Sequence, residues 1–317
     1  MKSDLYCLVD IGGTKILMLL IDENGRVLFR GKRSTPKPTP PESLIDTVKT
    51  MLIDAKRETG SAADIKPLGL GICIAGFIES EQGIIYQSPN LDWVKPVHFR
   101  SMLESNFSCP VIIENDANAA VLGEVYYGAA KGHDNVIYVT ISTGIGGGLF
   151  LNGRIYRGST GFAGEIGHIK PFGTGRVCKC GGDNCLEIWA AGSAIAMAAK
   201  TLWDENDPGI GPISTEWVFE QADQGNEIAL SIINDAALKT GRGLANLVTL
   251  LNPSCIVVGG GVAAGRPDYM EKVKIHIYSE AIPPSVNITK VELVAADLEP
   301  EAGIWGIYAL LTGRAVR

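Results

Sequence analysis

One hairpin plan occurs twice in this chain, and nothing else in the sequence restricts the fold as much. Val9–Gly31 reads VDIGGTKILMLLIDENGRVLFRG, and Thr140–Gly158 reads TISTGIGGGLFLNGRIYRG. Each has an apolar strand, a glycine-rich turn, a second strand, an Asn-Gly-Arg turn and a third strand ending in Arg-Gly. Asn-Gly is a strong hairpin signal because both residues tolerate positive φ. The repetition predicts two similar halves which, facing one another, would form a cleft with a glycine-rich turn on each wall. A length of 317 residues also exceeds one small core and predicts two domains.

Around the hairpins, strands alternate with helices, which predicts α/β layering. A helix is expected from Pro41 to Glu58 with Leu44, Val48, Met51, Leu52 and Ala55 on one face. Strands are expected at Pro67–Ile74, Val111–Glu114 and Cys255–Val258, and a helix from about Asp116 to Tyr127. Helical segments then dominate at Ala190–Trp203, Thr215–Gln221 and Asn226–Leu251. In the last, Gly241 and Gly243 predict close packing or a kink.

Composition excludes several function classes. The 28 Lys and Arg against 35 Asp and Glu give a net charge of −7, unsuited to a nucleic-acid partner. Apolar runs such as Lys15–Ile21 fall short of the roughly 18–20 residues of a membrane span, and no signal peptide is expected. Cys7, Cys73, Cys109 and Cys255 stand alone in or beside apolar runs. The odd total of seven cysteines fits a reducing, cytoplasmic setting.

Three strand ends are glycine-rich: Asp10–Lys15 (DIGGTK), Ser142–Gly148 (STGIGGG) and Gly259–Gly261. Successive glycines let backbone N–H groups approach an anion, and Thr14 and Lys15 add a hydroxyl and a positive charge. Asp10 ends a strand, where it is placed to hold a divalent cation through water. The pattern is neither a Walker A sequence nor a dinucleotide fingerprint, because a strand follows the glycines. Three such ends among 38 glycines point to phosphate binding.

Glu114–Asn118 (ENDAN) closes a strand and opens a helix. By residue type, Asn115 or Asp116 is favoured as the helix N-cap. The functional reading instead makes Asp116 a base for a substrate hydroxyl. In Gly164–Glu187, His168, Cys178, Cys180 and Cys185 offer one imidazole and three thiolates, a ligand set for structural zinc. Glu165 and Glu187 flank them as fixed acceptors for a hydroxyl-rich ligand. The His168 ring can give one nitrogen to zinc and the other to that ligand.

Taken as a set, DIGGTK, ENDANAA, STGIGGG, GEIGH and CKCGGDNCLE resemble, in order, the motifs of the ROK family (repressor, open reading frame, kinase). The resemblance covers nearly the whole chain. It implies a two-lobed actin-like (ribonuclease-H-like) ATPase fold with an interlobe cleft and a zinc-binding loop at 164–187. The expected small lobe is 1–119 plus 300–317, and the large lobe 120–299. Asp116 would be the catalytic base. Gly76, Asn90, Asn115, Asp116, Glu165, His168 and Glu187 would bind sugar. Asp10, Gly12, Gly13, Thr14 and Lys15 would face the phosphates and Mg²⁺, opposite Thr143, Gly144, Gly146 and Gly147. Gly259, Gly260 and Gly261 would lie towards the nucleotide, and His168, Cys178, Cys180 and Cys185 would bind structural Zn²⁺.

The activity implied is that of an ATP-dependent hexose kinase, foremost a glucokinase, with N-acetylmannosamine kinase and fructokinase as alternatives. The family also contains sugar-sensing repressors without catalysis. Those carry a DNA-binding segment ahead of the first phosphate strand, which here begins by Leu5 in an acidic chain. Small-molecule sugar and ATP are the expected partners, with neither nucleic acid nor membrane, and a homodimer or higher homo-oligomer is expected from the family alone.

Overall fold

The computed structural model describes residues 5–59, 67–172, 175–204 and 211–315. They fall into two units. The first comprises Met1–Lys131, Arg154–Ala163 and Pro300–Arg317, and the second Gly132–Gly153 and Gly164–Glu299. The first unit therefore extends past 119, because that boundary would cut a helix, and it takes in a short segment from the middle of the chain.

The first unit begins with β1 (Leu5–Ile11), β2 (Lys15–Asp22), β3 (Val27–Ser34) and α1 (Pro41–Glu58). There follow β4 (Gly69–Ile74), the small hairpin β5 (Phe77–Glu79) and β6 (Ile84–Gln87), α2 (Phe99–Asn106), β7 (Val111–Asn115) and α3 (Asp116–Tyr127). Its sheet has the order β3-β2-β1-β4-β7. The β1–β2 pair is antiparallel, whereas β1–β4 and β4–β7 are parallel. All six residues of β4 are buried, as expected for a central parallel strand covered on both faces. Helix α1 starts with Pro41 at its first turn, where a missing N–H costs nothing. It buries Leu44, Ile45, Val48, Met51 and Ala55. Ile45 replaces the expected Leu52, which lies half-buried at the rim of the stripe.

The second unit opens with β8 (Val136–Ile141) and β9 (Ile145–Leu151); the two-residue strand β10 (Arg154–Ile155) falls in the first unit's segment. After the cysteine loop come α4 (Glu187–Ala190), α5 (Gly192–Lys200), α6 (Thr215–Asp223) and α7 (Glu227–Leu251). Then follow β11 (Cys255–Gly259), α8 (Pro267–Glu280), α9 (Pro283–Asn287) and β12 (Glu292–Ala295). The strands β9-β8-β11-β12 repeat the first sheet's plan: an antiparallel hairpin followed by two parallel pairings. At the second hairpin's turn, Asn152 and Gly153 have φ of 54° and 75°, the left-handed pair that Asn-Gly predicts. Helix α7 runs unbroken for 25 residues. Its glycines serve packing, since a Cβ on Gly243 would come within 2.8 Å of Leu186.

The last helix, α10 (Ala302–Leu311), returns to the first unit. It lies against α3 so closely that a Cβ on Gly306 would fall inside the carbonyl of Ala119. The contact fixes α3, and so the β7–α3 junction, from behind. All seven cysteines are free thiols, and no described helix is long and apolar enough to cross a membrane.

Candidate active site

Each unit carries a cluster of predicted residues at the C-terminal ends of its parallel strands. In the first, Asp10 lies near the end of β1, beside Cys73 of β4. Burial pushes its carboxyl group up to about 7; the nearby Asp116 charge adds to the rise, while Lys15 and Cys73 partly offset it. Gly12–Lys15 close the β1–β2 turn, with Gly12 N–H donating to Lys15 O at 2.9 Å. Thr35, beyond the predicted set, fixes that turn: its hydroxyl donates to Gly12 O at 2.6 Å and its N–H to Thr14 O at 3.0 Å. Thr14 and Lys15 are exposed. Asn90 sits directly on the turn, since a Cβ on Gly13 would lie 2.8 Å from Asn90 O. A predicted sugar residue and a predicted phosphate turn are thus adjacent within one unit.

At the β7–α3 junction Asn115 is the N-cap, accepting from Ala117 N at 2.9 Å and Asn118 N at 3.1 Å. Its amide also donates to Gly76 O at 3.1 Å. Gly76 has φ 145°, and a Cβ there would strike Gln87 O, so only glycine suits the position. Asp116 is therefore the first helical residue, not the cap. Its carboxylate accepts Ala117 N–H at 2.9 Å, and burial raises its pKa against the lowering effect of that bond. A carboxyl group with raised proton affinity at a helix N-terminus is suited to accepting a proton.

Glu114 was not singled out by sequence reasoning, yet it is 1 % exposed and its two oxygens meet five donors. Arg157 donates to it from Nε at 2.8 Å and from Nη2 at 2.7 Å. Ser80 Oγ (2.8 Å), Asn115 N (2.9 Å) and Asn118 Nδ2 (3.3 Å) donate to its other oxygen. A buried Glu beside a helix start gives no periodicity signal, and its partner is 43 residues away.

In the second unit the predicted set Thr143, Gly144, Gly146 and Gly147 divides. Thr143 and Gly144 form the β8–β9 turn; Gly146 and Gly147 are within β9, opposite Thr140 and Val139. Gly147 is buried against Ile166 and Gly164 O, so its missing side chain serves packing rather than phosphate approach. Glu187, first in α4, accepts Ile145 N–H at 2.9 Å and overlies Gly144. At the end of β11 only Gly261 is exposed. Gly260 N–H is already held by both Glu299 oxygens at 2.8 and 2.9 Å, and Tyr138 donates to Glu299 at 2.9 Å. Gly259 and Gly260 are thus occupied by their own unit, leaving Gly261 as the glycine open to a ligand.

The cysteine loop closes as its spacing predicts. The ligand atoms of His168, Cys178, Cys180 and Cys185 all lie within 4.8 Å of one another, a separation suited to four ligands around one ion. A tight turn shapes it, with Cys178 N–H donating to Gly182 O at 2.7 Å, and Leu186 N–H closes its base by donating to Ile169 O at 2.9 Å. His168 Nδ1 faces Cys178 Sγ at 3.9 Å, and its Nε2 faces Glu165 at 3.9 Å. One imidazole nitrogen is therefore turned to the sulfurs and the other away, a donor set that fits zinc.

The ROK family model matches residues 6–314. The chain is 35 % identical over 319 residues to a glucokinase of Halalkalibacterium halodurans, covering 96 % of this chain and 94 % of the relative. It is 29 % identical over 306 residues to a xylose repressor of Bacillus subtilis, covering 96 % and 76 %. A crystal structure of a ROK family glucokinase from Streptomyces griseus in complex with glucose and AMPPNP is also similar. Its TM-score is 0.78 at 33 % identity, with 96 % of this chain and 98 % of that one covered.

Proposed function

Because the chain belongs to the ROK family, we propose that it is an ATP-dependent hexose kinase, and specifically a glucokinase forming glucose 6-phosphate. The observation that carries the reading is the Asp116 carboxyl group at the start of α3, with its raised proton affinity and with Asp10 and the Gly12–Lys15 turn in the same unit.

In this reading Asp116 takes the proton of the sugar hydroxyl. The hydroxyl oxygen attacks the γ-phosphorus of ATP, the bond from that phosphorus to the β–γ bridging oxygen breaks, and ADP leaves. Phosphoryl transfer asks a protein mainly for positioning and charge stabilisation. Gly76, Asn90, Asn115, Glu165, His168 and Glu187 are the residues proposed to orient the sugar hydroxyls. Asp10, Gly12, Gly13, Thr14 and Lys15 would receive the phosphate end of the nucleotide, with Thr143 and Gly144 as the second turn. The mutual repulsion of Asp10 and Asp116 fits a divalent cation. When bound, Mg²⁺ supplies charge neutralisation along the phosphates. His168, Cys178, Cys180 and Cys185 would hold zinc as a structural ion that fixes the loop bearing Glu165 and Glu187.

The test is a coupled ADP-release assay with ATP and glucose, mannose, fructose, N-acetylglucosamine and N-acetylmannosamine. Highest kcat/KM with glucose is expected. Highest kcat/KM with N-acetylmannosamine or fructose would keep the kinase and replace the substrate. Sugar binding without ADP release would favour a regulator, in line with the similarity to a xylose repressor.

A further inference from the structure

The buried Glu114–Arg157 pair has no role in the chemistry described above, although it is the most heavily hydrogen-bonded charge near the β7–α3 junction. We infer that Glu114 and Arg157 are positioning residues that hold the junction carrying Asp116 in its working geometry. The inference rests on the kinase reading with Asp116 as base.

Glu114 immediately precedes the Asn115–Asp116 pair. One of its oxygens takes the N–H of Asn115 and the side-chain amide of Asn118, in the first turn of α3. The same oxygen takes Ser80 Oγ, just after β5. The other oxygen belongs to Arg157, whose Nε and Nη2 converge on it at 2.8 and 2.7 Å. A carboxylate 1 % exposed needs such a counter-charge, because an unpaired buried ion carries an uncompensated desolvation cost. The planar guanidinium also fixes direction, which an ammonium would not.

Arg157 is itself held in place. It lies in Arg154–Ala163, the mid-chain segment that belongs to the first unit. Phe162 of that segment meets Phe77 and Tyr86 edge-on, with ring centroids 5.6 and 5.8 Å apart. Gly161 lies so close to Ile78 O that a side chain there would clash. The segment is therefore fastened to the β5–β6 hairpin by packing and to β7 by the ion pair. Gly76, whose carbonyl receives the Asn115 amide, directly precedes β5. The junction is thus tied on two sides, and Glu114 lies where the ties meet. Displacing a reacting group by about 1 Å costs on the order of 10²-fold in rate. Loss of the pair should therefore lower kcat more than it weakens substrate binding.

Single substitutions would strand a buried charge, so the decisive variant is the double one, Glu114→Gln with Arg157→Gln, which removes both charges and leaves an amide pair. The single Arg157→Gln should lower the Tm, and the double variant should recover most of that loss. In the refolded double variant, kcat with the best sugar should still be down at least about tenfold, with both KM values within about twofold of wild type. Amide exchange should be faster at Ala117 and Asn118, whose N–H groups Asn115 caps. Recovery of kcat along with the Tm, or unchanged exchange at those amides, would make the pair purely structural and overturn the inference. The exchange measurement needs no turnover, so it decides the anchoring role even if the wild-type protein phosphorylates no sugar, a result that would instead remove the kinase reading.

Discussion

Glu187 accepts the backbone N–H of Ile145 at 2.9 Å, across the turn in which Gly144 leaves room for the carboxylate. The acid expected to hold a sugar hydroxyl is therefore also the brace of a turn expected to face phosphate. Glu187→Ala removes both roles and should raise KM for sugar and for ATP. Glu187→Gln keeps a carbonyl oxygen for Ile145 N–H but lacks the charge. Its ATP KM should return to within about twofold of wild type while sugar KM stays up about tenfold or more, the scale of a hydrogen bond to a charged acceptor. Initial-rate kinetics on both variants decide this. An ATP KM equally high in the two would show that the brace does not depend on that oxygen.

Asp116→Asn should reduce kcat by about 10²–10⁴, the range for loss of a general base. The amide oxygen can still accept Ala117 N–H, so the helix start should survive. Sugar affinity measured by calorimetry should change by no more than a few-fold. An unchanged kcat would remove Asp116 from the reaction.

The two carboxyl groups predict an unusual pH response. Asp10 rises from 3.8 to about 7 through burial, and Asp116 rises too. Because Asp116 must be ionised to act as a base, kcat/KM should fall with decreasing pH at a point above the ordinary carboxylate range near 4. Stability has the opposite sign. Between pH 3.8 and about 7 the folded state holds the Asp10 proton more tightly than the unfolded state, so the ligand-free fold loses stability as pH rises through that window. Subtracting the Tm-against-pH curve of Asp10→Asn from that of the wild type isolates this contribution. A difference that is flat from pH 4 to 7.5 would contradict it.

Strand ends and turns were the most legible part of this fold. The repeated hairpin foretold the matching sheet plans, and Asn152–Gly153 adopts the turn its residue types require. The convergence of His168, Cys178, Cys180 and Cys185 was legible because short loop spacing leaves few ways to converge. Ligands supplied by distant chain were not legible. Glu299 reaches Gly260 from 39 residues away, and Arg157 reaches Glu114 from 43, distances at which side-chain pairing leaves no local pattern. Glycines were ambiguous for the same reason. Gly147 read as a ligand-facing position and Gly243 as a packing or kink position, and each is occupied by a neighbouring backbone or side chain that only the folded chain brings near.

The cysteine loop gives the last prediction. His168, Cys178, Cys180 and Cys185 lie within 4.8 Å of one another, and three thiols so close are held best by a cation. Elemental analysis of chelator-free protein should find a single equivalent of zinc. Cys180 is exposed, so Cys180→Ala leaves no core cavity, and any loss of Tm reports the metal. That variant should also weaken sugar binding, because His168 Nε2 lies 3.9 Å from Glu165 and the ring that carries it would lose its fixed orientation. Cys109→Ala, outside the loop, serves as the control and should leave zinc content and sugar affinity unchanged. Full sugar affinity in Cys180→Ala protein shown to be free of zinc would separate the metal from the sugar site.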